Sequence, residues 1–372
     1  MQKKTVGIGL VGSGFMGRCH ANAFRAVGGL FDLPLNPVAE LIADIDQSTA
    51  DKSAAELGFK RATGDWRNLV CDPAVDIVAI TAPNLLHEPI ALAAIEHGKT
   101  IYCEKPLSVT SQSAKRMCDA ADKAGTLTMV GFNFQRNPMI RLAAEMIENG
   151  ELGEIVSFRG RHAENYMADP EVAHSFRTDV QGGGALADIG SHILALARRL
   201  LGPIREVTGE SRTIFHHRPV SPGSKHTAPV EVDDVTNALL RFENGCTGSI
   251  EANWAATGRT MDLSFEVTGT KGAIAFSQER MNELLVWKPG QAGRTGFTRI
   301  ETGPNHPPYG RFCPAAGHHL GFNDLKIIEV AELLEAYASG GKCTPDFNEA
   351  LAVQRTVEAI ARSAKSSDWQ IV

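Results

Sequence analysis

Cysteine is sparse in this 372-residue chain, and its seven copies never form a Cys-x-x-Cys pair. Cys19, Cys71, Cys103, Cys118, Cys246, Cys313 and Cys343 are scattered and odd in number. That distribution excludes a disulfide framework or a cysteine-built zinc site and suits reduced thiols in a cytoplasm. The pairs His216-His217 and His318-His319 are adjacent residues. On a regular element both rings cannot easily turn to one ion, so no metal is expected. Lys/Arg-rich blocks are also missing, and the formal charge is −6 with a pI near 6.1. Nucleic acid and anionic membranes are therefore excluded as expected partners. No apolar run approaches the roughly 20 residues that span a bilayer. The first five residues lead into an apolar strand without a hydrophobic signal core, again in keeping with a cytoplasmic protein. The chain has neither internal repeats nor low-complexity stretches.

What is present is enough apolar sequence, 43%, for a sizeable core, over a length that usually divides into two domains. Residues 5–11 read as a buried strand, followed by Gly12-Ser13-Gly14-Phe15-Met16-Gly17 and a helical run over 18–27. In that order the glycines allow a tight turn, a close approach to a pyrophosphate and close helix–strand packing, and the helix N-terminus meets the phosphate charge. The next strand, 39–43, ends at Asp44, which can accept hydrogen bonds from ribose hydroxyls. The spacing from the glycines is longer than usual, and residues 28–37 read as an inserted loop. A carboxylate repels a 2′-phosphate and no Arg follows in 45–49, so NAD is expected over NADP. The competing reading is that Asp44 caps the helix beginning near Ser48. Further strands and helices alternate: strand 75–80, the turn Ala82-Pro83-Asn84, a helix over 86–97 that carries His87, strand 100–103, helix 111–124 and strand 126–131. Such alternation argues a doubly wound parallel sheet.

Strand 100–103 ends in Glu104-Lys105-Pro106, where the proline excludes helical geometry at Lys105 and fixes the backbone that aims its ammonium. Ligands of open α/β sheets gather at the carboxyl ends of strands. The second half reads differently. Residues 155–161, 235–242, 246–252 and 263–267 alternate with a period of two, and Asn244-Gly245 signals a hairpin. This pattern points to an α+β domain with a large, mostly antiparallel open sheet, whose uncovered face is available to a partner subunit. Within it, Gly182-Gly183-Gly184 leads into an apolar helix in which Asp188 and His192 stand four apart, on one face. An imidazole beside a carboxylate is an acid–base pair. The alternative is an exposed ion pair, with Arg198 and Arg199 nearby, but three glycines suit a close approach to a ligand.

Gly12-x-Gly-x-x-Gly17, Ala82-Pro83-Asn84, Glu104-Lys105-Pro106 and Gly-Gly-Gly-x-x-x-Asp188-x-Gly-x-His192 together resemble the Gfo/Idh/MocA oxidoreductases, in order and over nearly the whole chain. Ser157-Phe158-Arg159-Gly160, Val232-Asp233-Asp234-Val235 and Lys326-Ile327-Ile328-Glu329 resemble its branch that oxidises sugars, anhydrosugars and inositols. The resemblance implies a Rossmann domain over 1–132 and a substrate and oligomerisation domain over 133–372, with the C-terminal helix a candidate to pack back on the first. It implies Lys105, Asp188 and His192 as the catalytic trio. Gly12, Gly14, Phe15, Met16, Gly17, Asp44, Ala82, Pro83, Asn84, His87, Glu104 and Lys105 are the expected NAD contacts. Beside the trio, Asn133, Arg161, His162, Tyr166 and Trp254 are candidates for substrate contact. The expected partners are a sugar or polyol and a second or further copies of the chain, as a homodimer or homotetramer through the open sheet. Two other readings stay open: an NAD-dependent glycosidase using transient oxidation, and a non-catalytic regulator sensing NAD or sugar.

Overall fold

The computed structural model describes residues 3–290 and 292–372. It divides the chain into two compact units, the first being the chain up to Arg136 together with Gly321–Leu351. There β1 (Lys4–Val11), α1 (Phe15–Leu30), β2 (Leu35–Ala43), α2 (Gln47–Leu57), β3 (Arg61–Thr63), α3 (Trp66–Val70), β4 (Ile77–Ile80), α4 (His87–Glu96), β5 (Thr100–Cys103), α5 (Ser111–Ala124) and β6 (Thr128–Val130) follow one another. The six strands form one parallel sheet in the order β3-β2-β1-β4-β5-β6, the doubly wound arrangement expected from the alternation. β4 and β5 are buried at every position, as strands are when helices cover both faces. The expected loop over 28–37 is shorter than its glycines and prolines suggested. α1 continues to Leu30, and Asn36-Pro37 belongs to β2, where Pro37 faces β1 beyond the stretch that pairs with β3.

The second unit comprises Asn137–Leu320 and Ala352–Val372. Its elements are α6 (Pro138–Glu148), β7 (Ile155–Ala163), α7 (Ser191–Leu201), β8 (Ile204–Arg212), the ribbon strands β9 (His217–Pro219) and β10 (Thr227–Pro229), β11 (Val235–Phe242), β12 (Thr247–Asn253), β13 (Asp262–Gly269), β14 (Ala273–Ser277), β15 (Glu283–Trp287) and β16 (Thr298–Glu301). After α8 (Phe322–Ser339) and α9 (Phe347–Ser366), the short β17 (Gln370–Ile371) closes the chain. Nine strands build one sheet in the order β16-β15-β14-β13-β7-β12-β11-β8-β17, antiparallel except for β7 beside β12. Asn244-Gly245 makes the expected tight turn, with Gly245 at φ 87°. β11 alternates buried and exposed residues, the signature of a sheet with one covered face.

α8 belongs to the first unit, as does the start of the last helix through Leu351, and a polar core holds α8 there. Phe322 at its start stacks on Phe15 at 5.9 Å. One turn on, the fully buried Lys326 ammonium donates to Glu104 Oε1 (2.7 Å), Glu329 Oε2 (2.9 Å) and Tyr102 Oη (3.0 Å). The Tyr102 hydroxyl in turn donates to Glu329, and His20 Nε2 lies 2.8 Å from Glu104 Oε1. Arg136 pairs with Glu332 and lies 3.9 Å from Glu329. Burial by itself would raise the Glu104 pKa, but Lys326 and His20 outweigh it and hold the carboxyl well below the usual range. Burial would likewise lower Lys326, but Glu104 and Glu329 push it up.

Lys326→Met leaves these carboxylates buried without their cation, which costs about 3–5 kcal/mol. The signs follow from linkage. A depressed carboxyl contributes stability above its ordinary value of 4.5 that is lost only as pH falls through the folded value. A raised ammonium contributes below 10.5 and is lost as pH rises past that. In the variant the uncompensated carboxyls take up protons earlier, so its deficit in urea unfolding shrinks between about pH 7 and pH 4. A deficit that is absent, or constant across that range, contradicts this account.

Candidate active site

The glycine turn joins β1 to α1, and its glycines divide their tasks. A Cβ on Gly14 would meet no atom within 4 Å, whereas one on Gly17 would overlap the Gly12 carbonyl oxygen at 2.1 Å. Gly17 is thus a packing requirement and Gly14 an open cradle. α1 starts without a side-chain cap or an acidic residue in its first turn, leaving its N-terminal N–H groups to an anion. Asp44, at the end of β2, accepts from the Ser13 N–H (2.9 Å) and the Ile45 N–H (2.7 Å). The cap of α2 is Asp46, through the Thr49 N–H at 2.8 Å, so the capping alternative for Asp44 falls away. Ala82, Pro83 and Asn84 follow β4, the neighbour of β1 at the point where strand order reverses. Around these strand ends Phe15, Ile45, Leu85 and Leu86 are exposed, Ile45 at 86%, while Met16 is half-buried. This apolar rim suits the flat rings of a dinucleotide. Ile45 was not anticipated; its only sequence signal is its place next to the strand-end acid.

Lys105 is the one half-buried side chain in a buried stretch, Glu104 to Ser108, and its peptide bond to Pro106 is cis. Two neighbours expected to touch the cofactor do otherwise. Glu104 turns inward to Lys326 and His20, because successive side chains at a strand end point to opposite sides. His87 is buried with Nδ1 2.9 Å from the Pro106 carbonyl and Nε2 2.9 Å from that of Ala82. It fastens the loop after β4 to the turn after β5, and burial pushes its pKa down. Asn133, just past β6, is 2% exposed, and its Nδ2 has no hydrogen-bond partner. A buried amide donor left open in this way needs a partner outside the chain. Open cradle and uncapped helix start together fit a bound dinucleotide.

In the second unit, residues 186–190 form a π-helical turn before α7, not the regular helix expected. Asp233 builds it, accepting from the Leu186 N–H at 2.9 Å while its own carbonyl accepts from the Ala185 N–H at 2.9 Å. Of the preceding glycines, Gly183 and Gly184 pack closely against protein. A Cβ on Gly183 would lie 2.4 Å from the Arg177 and Asp179 carbonyl oxygens, and one on Gly184 2.1 Å from Asp233 Oδ1. Asp188 Oδ2 accepts from the Tyr166 hydroxyl (2.8 Å) and Arg177 Nε (2.9 Å). Arg177, whose guanidinium lies over the rings of Phe176 (4.6 Å) and Tyr166 (5.6 Å), was missed. It comes from an irregular loop, where no periodicity links it to Asp188. Burial, then Asp188, raise the Tyr166 pKa; for Arg177 burial lowers it, but Asp188 and Tyr166 together outweigh burial and raise it. Both therefore remain donors to the Asp188 carboxyl. His192 is 7% exposed, its ring centroid 5.6 Å from that of His162.

Two expected substrate contacts lie elsewhere. Trp254 is wholly buried in a cluster with Met167, Ile189 and Val232, and donates to Asp234 at 2.6 Å. Its contribution is to back the Tyr166 ring, edge-on at 6.1 Å. Arg161 alternates with His162 along β7 and so projects from the uncovered sheet face, where it pairs with Asp262. Among the described residues, no three His, Cys, Asp or Glu side chains gather as metal ligands. Nor is any helix long and apolar enough to cross a membrane.

Known proteins share this fold. The pattern of an oxidoreductase family with an NAD-binding Rossmann fold matches residues 6–132, and that of the GFO/IDH/MocA C-terminal domain matches 140–275. Levoglucosan dehydrogenase of Pseudarthrobacter phenanthrenivorans is 38% identical over 381 residues, covering 98% of each chain. The NAD-linked scyllo-inositol 2-dehydrogenase of Bacillus subtilis is 29% identical over 67% of this chain and 70% of its own. Among solved structures, levoglucosan dehydrogenase in complex with NADH and L-sorbose superposes with a TM-score of 0.96 at 39% identity over 99% of both chains. An NAD-binding oxidoreductase from Klebsiella pneumoniae does so with 0.94 at 42% over the same shares.

The two glycines predict opposite variants. Gly14→Val keeps the melting temperature and weakens NADH binding by roughly tenfold or more, since only a ligand uses that space. Gly17→Ala lowers the melting temperature. A fluorescence titration beside a thermal melt checks both, and equal melting losses would remove the distinction.

Proposed function

The chain belongs to the Gfo/Idh/MocA family of NAD-dependent oxidoreductases, and we propose that it oxidises a secondary alcohol of a sugar, anhydrosugar or cyclitol. The observation that carries this reading is the Asp188 cluster. A carboxyl that accepts from Tyr166 and Arg177 stands on the same turn-and-helix segment as a nearly buried imidazole. Such a pair serves proton removal from a hydroxyl.

In the mechanism, bound NAD⁺ supplies the hydride acceptor at nicotinamide C4. His192 takes the hydroxyl proton as the hydride leaves the carbon. The Lys105 ammonium donates to the reacting oxygen and stabilises the charge that develops there. Asp188 orients His192 or grips a neighbouring hydroxyl, and Asn133 offers its open amide N–H to the substrate. The turn closed by Gly12 and Gly17 would hold the pyrophosphate in the open cradle at Gly14, and Asp44 the adenosine ribose, which favours NAD over NADP. The substrate class is supported by the named activities of the relatives, among them a levoglucosan and an inositol dehydrogenase.

A cytoplasmic site of action fits cysteines that form no disulfide among the described residues. A homodimer or homotetramer fits the uncovered sheet face, where Leu239 is 53% exposed.

Screening sugars, anhydrosugars and cyclitols for NADH formation identifies the substrate; glycoside cleavage without net NADH would instead support the glycosidase. With the best substrate, Lys105→Ala and His192→Asn each lower kcat by about 10²–10⁴-fold while NADH still binds. Wild-type turnover in either variant removes that residue from the mechanism.

A further inference from the structure

We propose that His162, paired with Glu164, is the positioning residue that fixes His192, acting through the main chain of the π-helical turn. The proposal rests on His192 being the proton acceptor in the function proposed above. His162 lies on the covered face of β7 and is 1% exposed. Its neighbours across the sheet are Ala252 on β12 and Leu263 on β13, so the strands offer the ring no polar partner. A polar ring survives such a slot only when its nitrogens are occupied. Nδ1 lies 2.8 Å from the Ile189 carbonyl oxygen and Nε2 2.8 Å from Glu164 Oε1. A carbonyl only accepts, so Nδ1 carries a hydrogen and donates it. Nε2 then shares a proton with the Glu164 carboxyl, and the orientation of the ring is set.

The recipient is the informative part. Ile189 follows Asp188 directly and precedes His192 by one helical step, inside a turn whose wide hydrogen-bond spacing is uncommon and frequent at functional sites. His162 therefore grips the main chain between the two candidate groups. Its ring also faces that of His192, tilted 56° at 5.6 Å between centroids. Both ring nitrogens are directed elsewhere, which makes His162 a wall and an anchor for His192, not a relay for its proton. Glu164 is tied down independently, its N–H donating to the Asn253 carbonyl at 2.8 Å and its carbonyl accepting from the Ala256 N–H at 2.9 Å. The anchor is thus rooted in the neighbouring strand β12. Asp188 is held by its side chain and the turn before His192 by the Ile189 carbonyl, through two separate sets of partners.

The test uses the different reach of two amides. Asn places a donor near the Nδ1 position and Gln near the Nε2 position. His162→Asn keeps the bond to Ile189, and amide exchange over 186–193 and kcat stay within about threefold of wild type. His162→Gln and His162→Leu lose it; exchange over that segment quickens and kcat falls, each by roughly tenfold, with KM and NADH affinity unchanged. A purely structural histidine would make all three variants track their melting temperatures, without the Asn rescue and without a kcat-specific loss. The proposal is overturned if His162→Asn is as impaired as His162→Gln, or if His162→Gln exchanges and turns over like wild type. Amide exchange needs no substrate. Wild-type turnover in His192→Asn would sink the mechanism while the exchange result still decides the anchor.

Discussion

Within the first unit, the arrangement depends on one ammonium that never meets water. Removing a lysine from solvent costs several kcal/mol, so the site exists only because three acceptors use all three of its protons. Two of those acceptors are carboxylates that would themselves be intolerable without it. The set is nearly self-neutralising, Glu104 and Glu329 against Lys326 and Arg136, with Glu332 at the rim. Removing any member leaves a charge stranded, which is why it behaves as one unit. Its mechanical consequence is local. The end of β5 and the start of α8 are locked together, and Glu104 also accepts from the Lys105 N–H at 3.3 Å.

The second unit solves the same problem with hydrogen bonds to the main chain. Asp234 accepts from the Ile214 and Phe215 N–H groups and from Trp254, and lies 3.6 Å from the wholly buried Arg218. Arg218 spends its guanidinium on the Met167 and Asp169 carbonyls, at 2.7 and 2.9 Å. Those carbonyls belong to the loop that presents Tyr166 and leads on to Arg177. Irregular backbone is expensive to bury unless its carbonyls and N–H groups find partners. Here an aspartate pair and one arginine supply them, and the loop, the π-helical turn and the ribbon β9–β10 are held in one piece.

The physics of what was legible in the sequence is that of local patterns. Strand–helix alternation, the glycine turn, Asp44, the Asn244-Gly245 hairpin and the change to period-two strands are all written within a few residues of themselves. What escaped depends on partners distant in sequence. Glu104 and His87 looked like cofactor ligands because they stand in the right turns; only their partners, Lys326 and two loop carbonyls, reveal which way they face. Trp254 looked like a sugar platform, but Asp234 draws its indole inward. Arg161 was misplaced by an avoidable step, since strand alternation puts it opposite His162. The Asp188–His192 spacing pointed to one helical face, whereas Asp233 and the close-packed glycines impose a wider turn. The return of α8 had a trace in Lys326 and Glu329, whose place in an otherwise apolar helical face is unexplained until Glu104 is beside them.

Both halves obey one rule: the groups with proposed chemistry adjoin residues that cannot move. Glu104 is held by Lys326, Pro106 by His87, and Lys105 is the only side chain of that stretch left half-exposed. Asp188 is held by Tyr166 and Arg177, and Ile189 by His162, on either side of the turn that carries His192. Dipoles and charges aimed at a developing oxyanion or a departing proton help most when they need not reorganise during the reaction. A long, mobile lysine and a titrating imidazole are poor candidates for such rigidity by themselves. The sequence supplies it within a few residues, by tying down the neighbours of each reactive group. This is also why the reactive residues were easier to name from the sequence than the residues that hold them: chemistry is a property of the side chain, and rigidity a property of its neighbours.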